Sequence, residues 1–344
     1  MRPLPVRRWV AAAAVITLSL LLGACSGSSG ASDEARITGG TKVPLKVDRS
    51  RSDVRATIAT TISGESQNLL FDTGSTGLSV LATAVPSSVA SMTGDPFQES
   101  FVGGVALSGV VVSLPVEVAG IASNGPIMVR IVQTATCSSN VPNCSAKDGI
   151  DGFAKSIDAD GIFGAGLWAT GSVYSPLTQL AGGVPSSIAV SWGGSTGSVT
   201  FDPTIDIAPV ATLSMAPANP AALANGAKAW NNLTVPICWQ IESSQRTCTA
   251  TALDTGAAAM SFPIGFPGGP TTNVKELSSR LKITATTTAT AEPFLEFSTG
   301  RKLGENLVTV IPGQSFVNSG LRFFDQFVVV FSLSDGTVRL YSGT

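Results

Sequence analysis

From about residue 54 onward, apolar residues alternate with polar ones in short runs, the period of half-buried strands rather than of helices. The stretch VRATIATTISGESQNLLFDTG (54–74) is β-branched and alternating on both sides of Gly64-Glu65. That pattern predicts a hairpin whose second strand runs into an Asp-Thr-Gly turn. VALSGVVVSLPVEVAGI (105–121), SIAVSWGGSTGSVTFDP (187–203) and FFDQFVVVFSLSDGTVRLYS (323–342) repeat the pattern, with turns predicted at Gly109, at 194–197 and at Asp335-Gly336. Helical patterns are few and short, so the fold class is mainly β. Residues 26–44 are rich in Ser and Gly and lack apolar periodicity, which predicts a flexible tether, with order beginning near Asp53.

The first 25 residues follow a different pattern. Arg2, Arg7 and Arg8 precede an apolar run over 9–22, then small residues and Cys25. This is the order of a secretory leader, and the run is short for a membrane span. Leu22-Gly23-Ala24-Cys25 resembles the bacterial lipobox, which implies a signal peptide over 1–24, a lipidated Cys25 as the first mature residue, and an extracytoplasmic protein held to the membrane by its acyl chains. The alternative is a plain secretory leader ahead of a cysteine with no such role. The other four cysteines fall into two local pairs, Cys137 with Cys144 and Cys238 with Cys248, and read as two disulfides of an exported protein.

The chain has no histidine, which excludes hydrolases with an imidazole base and most catalytic zinc sites. No metal and no cofactor is expected. Removing the leader takes away three arginines and no acid, leaving a net charge of −5 without any basic run, so nucleic acid is not expected as a partner. Acid or base chemistry must then come from carboxylates, lysine or tyrosine.

The carboxylates with the strongest claim are Asp72 and Asp254. Asp-Thr-Gly occurs in LLFDTGSTGLSV (69–80) and again in TALDTGAAAMSF (251–262), each time after apolar residues. Two such turns facing each other would bring two carboxyl groups within hydrogen-bonding reach, where they hold one proton between them. One member can then take a proton from water while the other donates to a carbonyl under attack. Gly74 and Gly256 would allow close backbone approach, and Thr73 and Thr255 could brace the turns with hydroxyl hydrogen bonds.

Together these features resemble the pepsin-like aspartic proteases. DADGIFGAGL (158–167), with Gly161 and Gly164, is similar to the family's hydrophobic-hydrophobic-glycine element, and Gly320 begins a segment similar to the last strands of its C-terminal lobe. Residues 101–121 are similar to the flap hairpin and the strand after it, placing Phe101, Val102, Gly104 and Gly109 in the flap. The resemblance covers about residues 53–342 and implies a bilobal double β-barrel, with a tether over 25–52, an N-terminal lobe over 53–190 and a C-terminal lobe over 191–344. It also implies a monomeric endopeptidase that grips an extended peptide, here on exported or envelope proteins. A catalytically silent peptide-binding or structural lipoprotein is the alternative.

Three departures from the family pattern stand out. The tyrosine usual near the flap tip is missing, and Phe101 and Val102 occupy that neighbourhood. Ser75 keeps the hydroxyl after the first triplet, but Ala257 follows the second, so Asp254 is expected to lack a neighbouring donor and the pair to titrate higher than in an archetypal acid protease. The segment before the first predicted strand is shorter than the family's prosegments, although Lys42, Lys46, Arg49 and Arg51 could occlude the cleft transiently.

Overall fold

The predicted hairpin forms because its turn suits it. Strands Arg55–Ile62 and Glu65–Asp72 pair antiparallel with Ile62 opposite Glu65. Ser63 and Gly64 both take positive φ, at 52° and 89°, the backbone a two-residue hairpin turn requires. Leu69 and Phe71 are fully buried, which fixes the register of the strand that ends at Asp72.

The computed structural model describes residues 35–50, 54–270, 276–302 and 306–343. The leader and Cys25 lie outside the described residues. Among those described, no helix is long and apolar enough to cross a membrane. The fold is mainly β: strands build a sheet of fifteen and a sheet of seven, and the longest α-helix described is Gly149–Ile157.

Both sheets contain the same arrangement around an Asp-Thr-Gly turn. In the larger, Glu65–Asp72 leads through the turn into Thr76–Leu81. Strand Gly161–Ala165 lies between the two, parallel to the first with Gly164 beside Asp72, and antiparallel to the second. In the smaller, Thr247–Ala252 leads through the second turn towards Met260–Pro263. Strand Val317–Asn318 lies between these, parallel to the first and antiparallel to the second. The outer neighbours match too: Ile127–Cys137 runs parallel to Thr76–Leu81, and Val308–Ile311 runs parallel to Met260–Pro263.

Three sequence expectations are corrected here. Residues 37–48 are no tether but the strand Ile37–Asp48, paired with Thr196–Ile205 and with Arg55–Ile62. Val43, Leu45 and Val47 bury one face of it, an alternation hidden in the sequence by neighbouring glycines and lysines. Lys42 and Lys46 are therefore held in a sheet, and Arg49 donates to the Gly194 carbonyl and pairs with Asp325 at 2.7 Å, so these cations do not occlude a cleft; Arg51 lies outside the described residues. Gly109 makes no turn either. It is the bulge in the continuous strand Val105–Leu114, where a Cβ would stand 2.0 Å from the Ile131 carbonyl oxygen.

A boundary at 190/191 falls inside the strand Ser187–Gly193, which pairs with Phe327–Ser332 near the chain's end. The strands from 187 to 205 and from 327 to 342 thus continue the larger sheet beyond Ile37–Asp48. The core alongside holds Phe71 stacked on Phe163 and, under the smaller sheet, fully buried Trp239 edge-on to Phe262 and Phe323.

Both disulfides form. Cys238 and Cys248 stand directly opposite each other in the hairpin of Val235–Ile241 and Thr247–Ala252, the strand that leads to Asp254. Replacing both with serine is expected to cost about 2–4 kcal/mol and to loosen the smaller sheet before the larger. Limited proteolysis checks this: first nicks within 95–137 would contradict it.

Candidate active site

Each aspartate leaves its strand with its carboxyl turned back onto its own turn. Asp72 Oδ1 accepts the Gly74 N–H at 2.7 Å, and Asp254 Oδ1 accepts the Gly256 N–H at 2.8 Å. The two glycines then serve the opposite turn. A Cβ on Gly74 would stand 2.4 Å from the Asp254 Cγ, and one on Gly256 would stand 2.5 Å from the Asp72 Cγ. Any side chain at either position would displace the facing carboxyl, so glycine is required at both by the close approach.

The threonines of the triplets lock the turns together reciprocally. Thr73 N–H donates to Thr255 Oγ1 and Thr255 N–H donates to Thr73 Oγ1, both at 3.0 Å. Each hydroxyl then crosses to the strand behind the other turn, Thr73 to the Leu253 carbonyl at 2.7 Å and Thr255 to the Phe71 carbonyl at 2.8 Å. Both threonines are buried, so these two N–H groups and two hydroxyls are satisfied only if the turns stay face to face.

The predicted supporting residues lie where backbone contact is tight. A Cβ at Gly164 would meet the Thr76 backbone at 2.5 Å, one at Gly161 the Ser79 carbonyl oxygen at 2.2 Å, and one at Gly320 the Ala259 backbone at 2.6 Å. Ser75 Oγ donates to Asp72 Oδ2 at 2.7 Å. The expectation that Asp254 lacks a comparable donor is corrected: Asn318 Nδ2 donates to its Oδ2 at 2.6 Å, and the Ala257 N–H adds a bond to Oδ1 at 3.2 Å. The carboxamide arrives on the strand Val317–Asn318, too far along the chain for a motif scan around Asp254 to find.

Two more residues escape a sequence reading. Asn232, notable in the sequence only as part of Asn-Leu-Thr, is buried. It donates to the Thr73 carbonyl at 2.8 Å and accepts the Leu167 N–H at 3.1 Å, tying the first turn to the glycine element. Arg130 is the other, buried on Ile127–Cys137 with Nη1 donating to the Thr76 carbonyl at 2.8 Å. Its charge inside the apolar run IMVRIV was the available signal.

The hairpin predicted as a flap is formed by Asp95–Ser100 and Val105–Leu114, with Phe101, Val102 and Gly104 at its tip. Val102 is exposed, Phe101 is half-buried, and the Gly104 carbonyl accepts the Ser138 N–H from the Cys137–Cys144 loop at 2.7 Å. Among the described residues, none of the tip makes a hydrogen bond to either aspartate.

Burial pushes the Asp72 carboxyl well above the usual carboxylate range, and the Asp254 charge and a direct contact between the two carboxyls push it further. The Ser75 hydroxyl and the Gly74 N–H oppose this without cancelling it. Two carboxyls in such contact share a proton and can act as acid and base in one step. Among the described residues no group of three or more Cys, Asp or Glu is placed to hold a metal ion. No protein-family model and no curated protein sequence matches this chain.

Proposed function

We propose that this chain is a pepsin-like aspartic endopeptidase that hydrolyses peptide bonds with water activated by Asp72 and Asp254. The observation that carries the reading is the reciprocal lock of the two triplets, which brings carboxyls 182 residues apart in sequence into one coupled pair. A turn serving only to reverse the chain needs neither the carboxyl nor a glycine beneath the facing carboxyl. The repeat of the same strand arrangement in both sheets supports the bilobal double-barrel reading. In the reaction the charged carboxyl removes a proton from the attacking water, and the protonated one donates to the carbonyl oxygen of the scissile bond. An extended substrate would add main-chain hydrogen bonds to the strands around the dyad. The leader and Cys25 support an enzyme held at the outer face of a membrane, acting on exported or envelope proteins.

The test is a peptide pool incubated with the protein lacking residues 1–25, from about pH 3 to 7, the range in which a carboxylate pair shares a proton. The expected result is cleavage that a statine-type inhibitor blocks and that Asp72→Asn and Asp254→Asn each abolish. A folded protein that binds peptides or inhibitor and cuts none would favour a silent binding module instead.

A further inference from the structure

The two aspartates occupy equivalent places in the repeat, but the groups around them are chemically unequal. Apart from its contact with the Asp72 carboxyl, Asp254 is met, among the described residues, by obligate donors: the Gly256 and Ala257 N–H groups on Oδ1 and the Asn318 carboxamide on Oδ2. The orientation of that carboxamide is fixed, because Asn318 Oδ1 accepts the Gly320 N–H at 2.8 Å and only an oxygen can do so. Asn318 therefore presents an N–H to Asp254 Oδ2, which favours the charged oxygen there over a protonated one.

Asp72 has a different partner. Its Oδ2 faces the Ser75 hydroxyl, which can rotate to accept a proton as readily as to donate one. Asp72 is also the more buried of the two, and a buried carboxyl is the better place for the neutral form.

We infer that Asn318 is a positioning residue that holds Asp254 as the charged member of the pair, so that Asp254 is the general base towards water and Asp72 the acid that protonates the substrate carbonyl. This assignment of roles rests on the protease reading. It replaces the hydroxyl missing at Ala257 with a carboxamide that cannot accept a proton, and so makes the dyad directional where its backbone is symmetric.

The experiment follows the carboxyl carbons of γ-13C-aspartate-labelled protein by NMR through a pH titration, with Asp72→Asn and Asp254→Asn assigning the two signals. In the wild type, Asp254 is expected to show the chemical shift of a carboxylate while Asp72 still shows that of the acid. Asn318→Leu removes the donor at similar volume and is expected to raise the lower apparent pKa of the pair by about one to two units. The acid limb of kcat/KM should move by the same amount. Ala257→Ser in the Asn318→Leu background offers a hydroxyl where Ser75 has one, and because that group accepts as well as donates it is expected to return only part of that shift. The carboxyl spectrum at high pH and the melting temperature serve as controls for folding.

An Asp254 signal that is the last of the pair to ionise would overturn the assignment, and so would an Asn318→Leu titration that coincides with the wild type. The spectra need no turnover. The expected carboxyl order with no cleavage of any peptide would count against the protease reading alone, and cleavage with the order reversed would count against the roles alone.

Discussion

Asp72→Asn is expected to lower kcat by about 10²–10⁴-fold, the range general acid–base groups supply, and at the same time to make the protein more stable near neutral pH. The carboxamide fits the site without strain. Its oxygen can accept the Gly74 N–H, and its nitrogen can donate to the Ser75 hydroxyl, replacing both bonds that Asp72 makes within its own turn. What disappears is a buried group whose ionisation is opposed first by desolvation and then by the Asp254 charge.

The sign of the stability effect follows from linkage. A carboxyl whose pKa is raised by folding binds its proton more tightly in the native state. Its favourable contribution is complete below the ordinary carboxylate range, near pH 4, and is lost as the pH rises through the raised native value. Wild-type stability should therefore fall as the pH climbs towards neutrality, and the Asn variant should lack that part of the fall. The melting temperature of the variant should exceed that of the wild type by about 2–4 °C for each kcal/mol relieved. Asp335 works in the opposite direction. The Ser332 and Thr337 hydroxyls help to hold it at about 2, so what it contributes is lost only as the pH drops below about 4, in wild type and variant alike. Melting curves from pH 3 to 8, with peptide turnover on the same samples, check both halves. A variant that is inactive and also less stable at pH 7 would make Asp72 a structural residue and remove the dyad.

This double expectation also shows which parts of the site could be read along the chain. The triplets, the glycines beneath them and Ser75 were legible because each lies within three residues of an aspartate, where a turn dictates its own composition. The strands were legible where the alternation of a buried face runs unbroken, as from Arg55 to Asp72. Ile37–Asp48 was not, because Gly39, Gly40, Lys42 and Lys46 interrupt the alternation and only pairing with Thr196–Ile205 makes it a strand. Gly109 could be recognised as special but not as a bulge, since the carbonyl it must avoid belongs to Ile131 on a neighbouring strand. Asn318 and Asn232 were invisible for the same reason: each acts across a gap of more than sixty residues that only the sheet closes.

Arg130→Met is expected to destabilise the fold by about 3–5 kcal/mol, the cost of removing one member of a buried ion pair while leaving the other in place. Arg130 has a nearly inaccessible side chain. It holds the Thr76 carbonyl at 2.8 Å, lies 3.5 Å from Glu99 Oε2 and places its guanidinium carbon 5.8 Å from the centre of the Phe97 ring. Burial depresses its pKa and raises that of Glu99, with each partner's charge opposing the shift in the other. Methionine keeps much of the volume, but Glu99 then loses its cation and the Thr76 carbonyl its donor. Two further measurements separate these losses. Glu99→Leu combined with Arg130→Met should regain more than half of the stability, because the orphaned carboxylate is gone. The deficit of Arg130→Met alone should shrink as the pH falls, because Glu99, with its pKa raised further, then takes up a proton and is buried neutral. Denaturant midpoints at pH 4 and pH 7 for the four members of this cycle decide the matter. Equal deficits at both pH values, with no recovery in the double variant, would show that Arg130 acts through Thr76 and Phe97 alone. Peptide turnover should fall in Arg130→Met but recover less than stability in the double variant, since Thr76 follows directly on Ser75 and its carbonyl stays without the guanidinium that holds the exit of the first Asp-Thr-Gly turn.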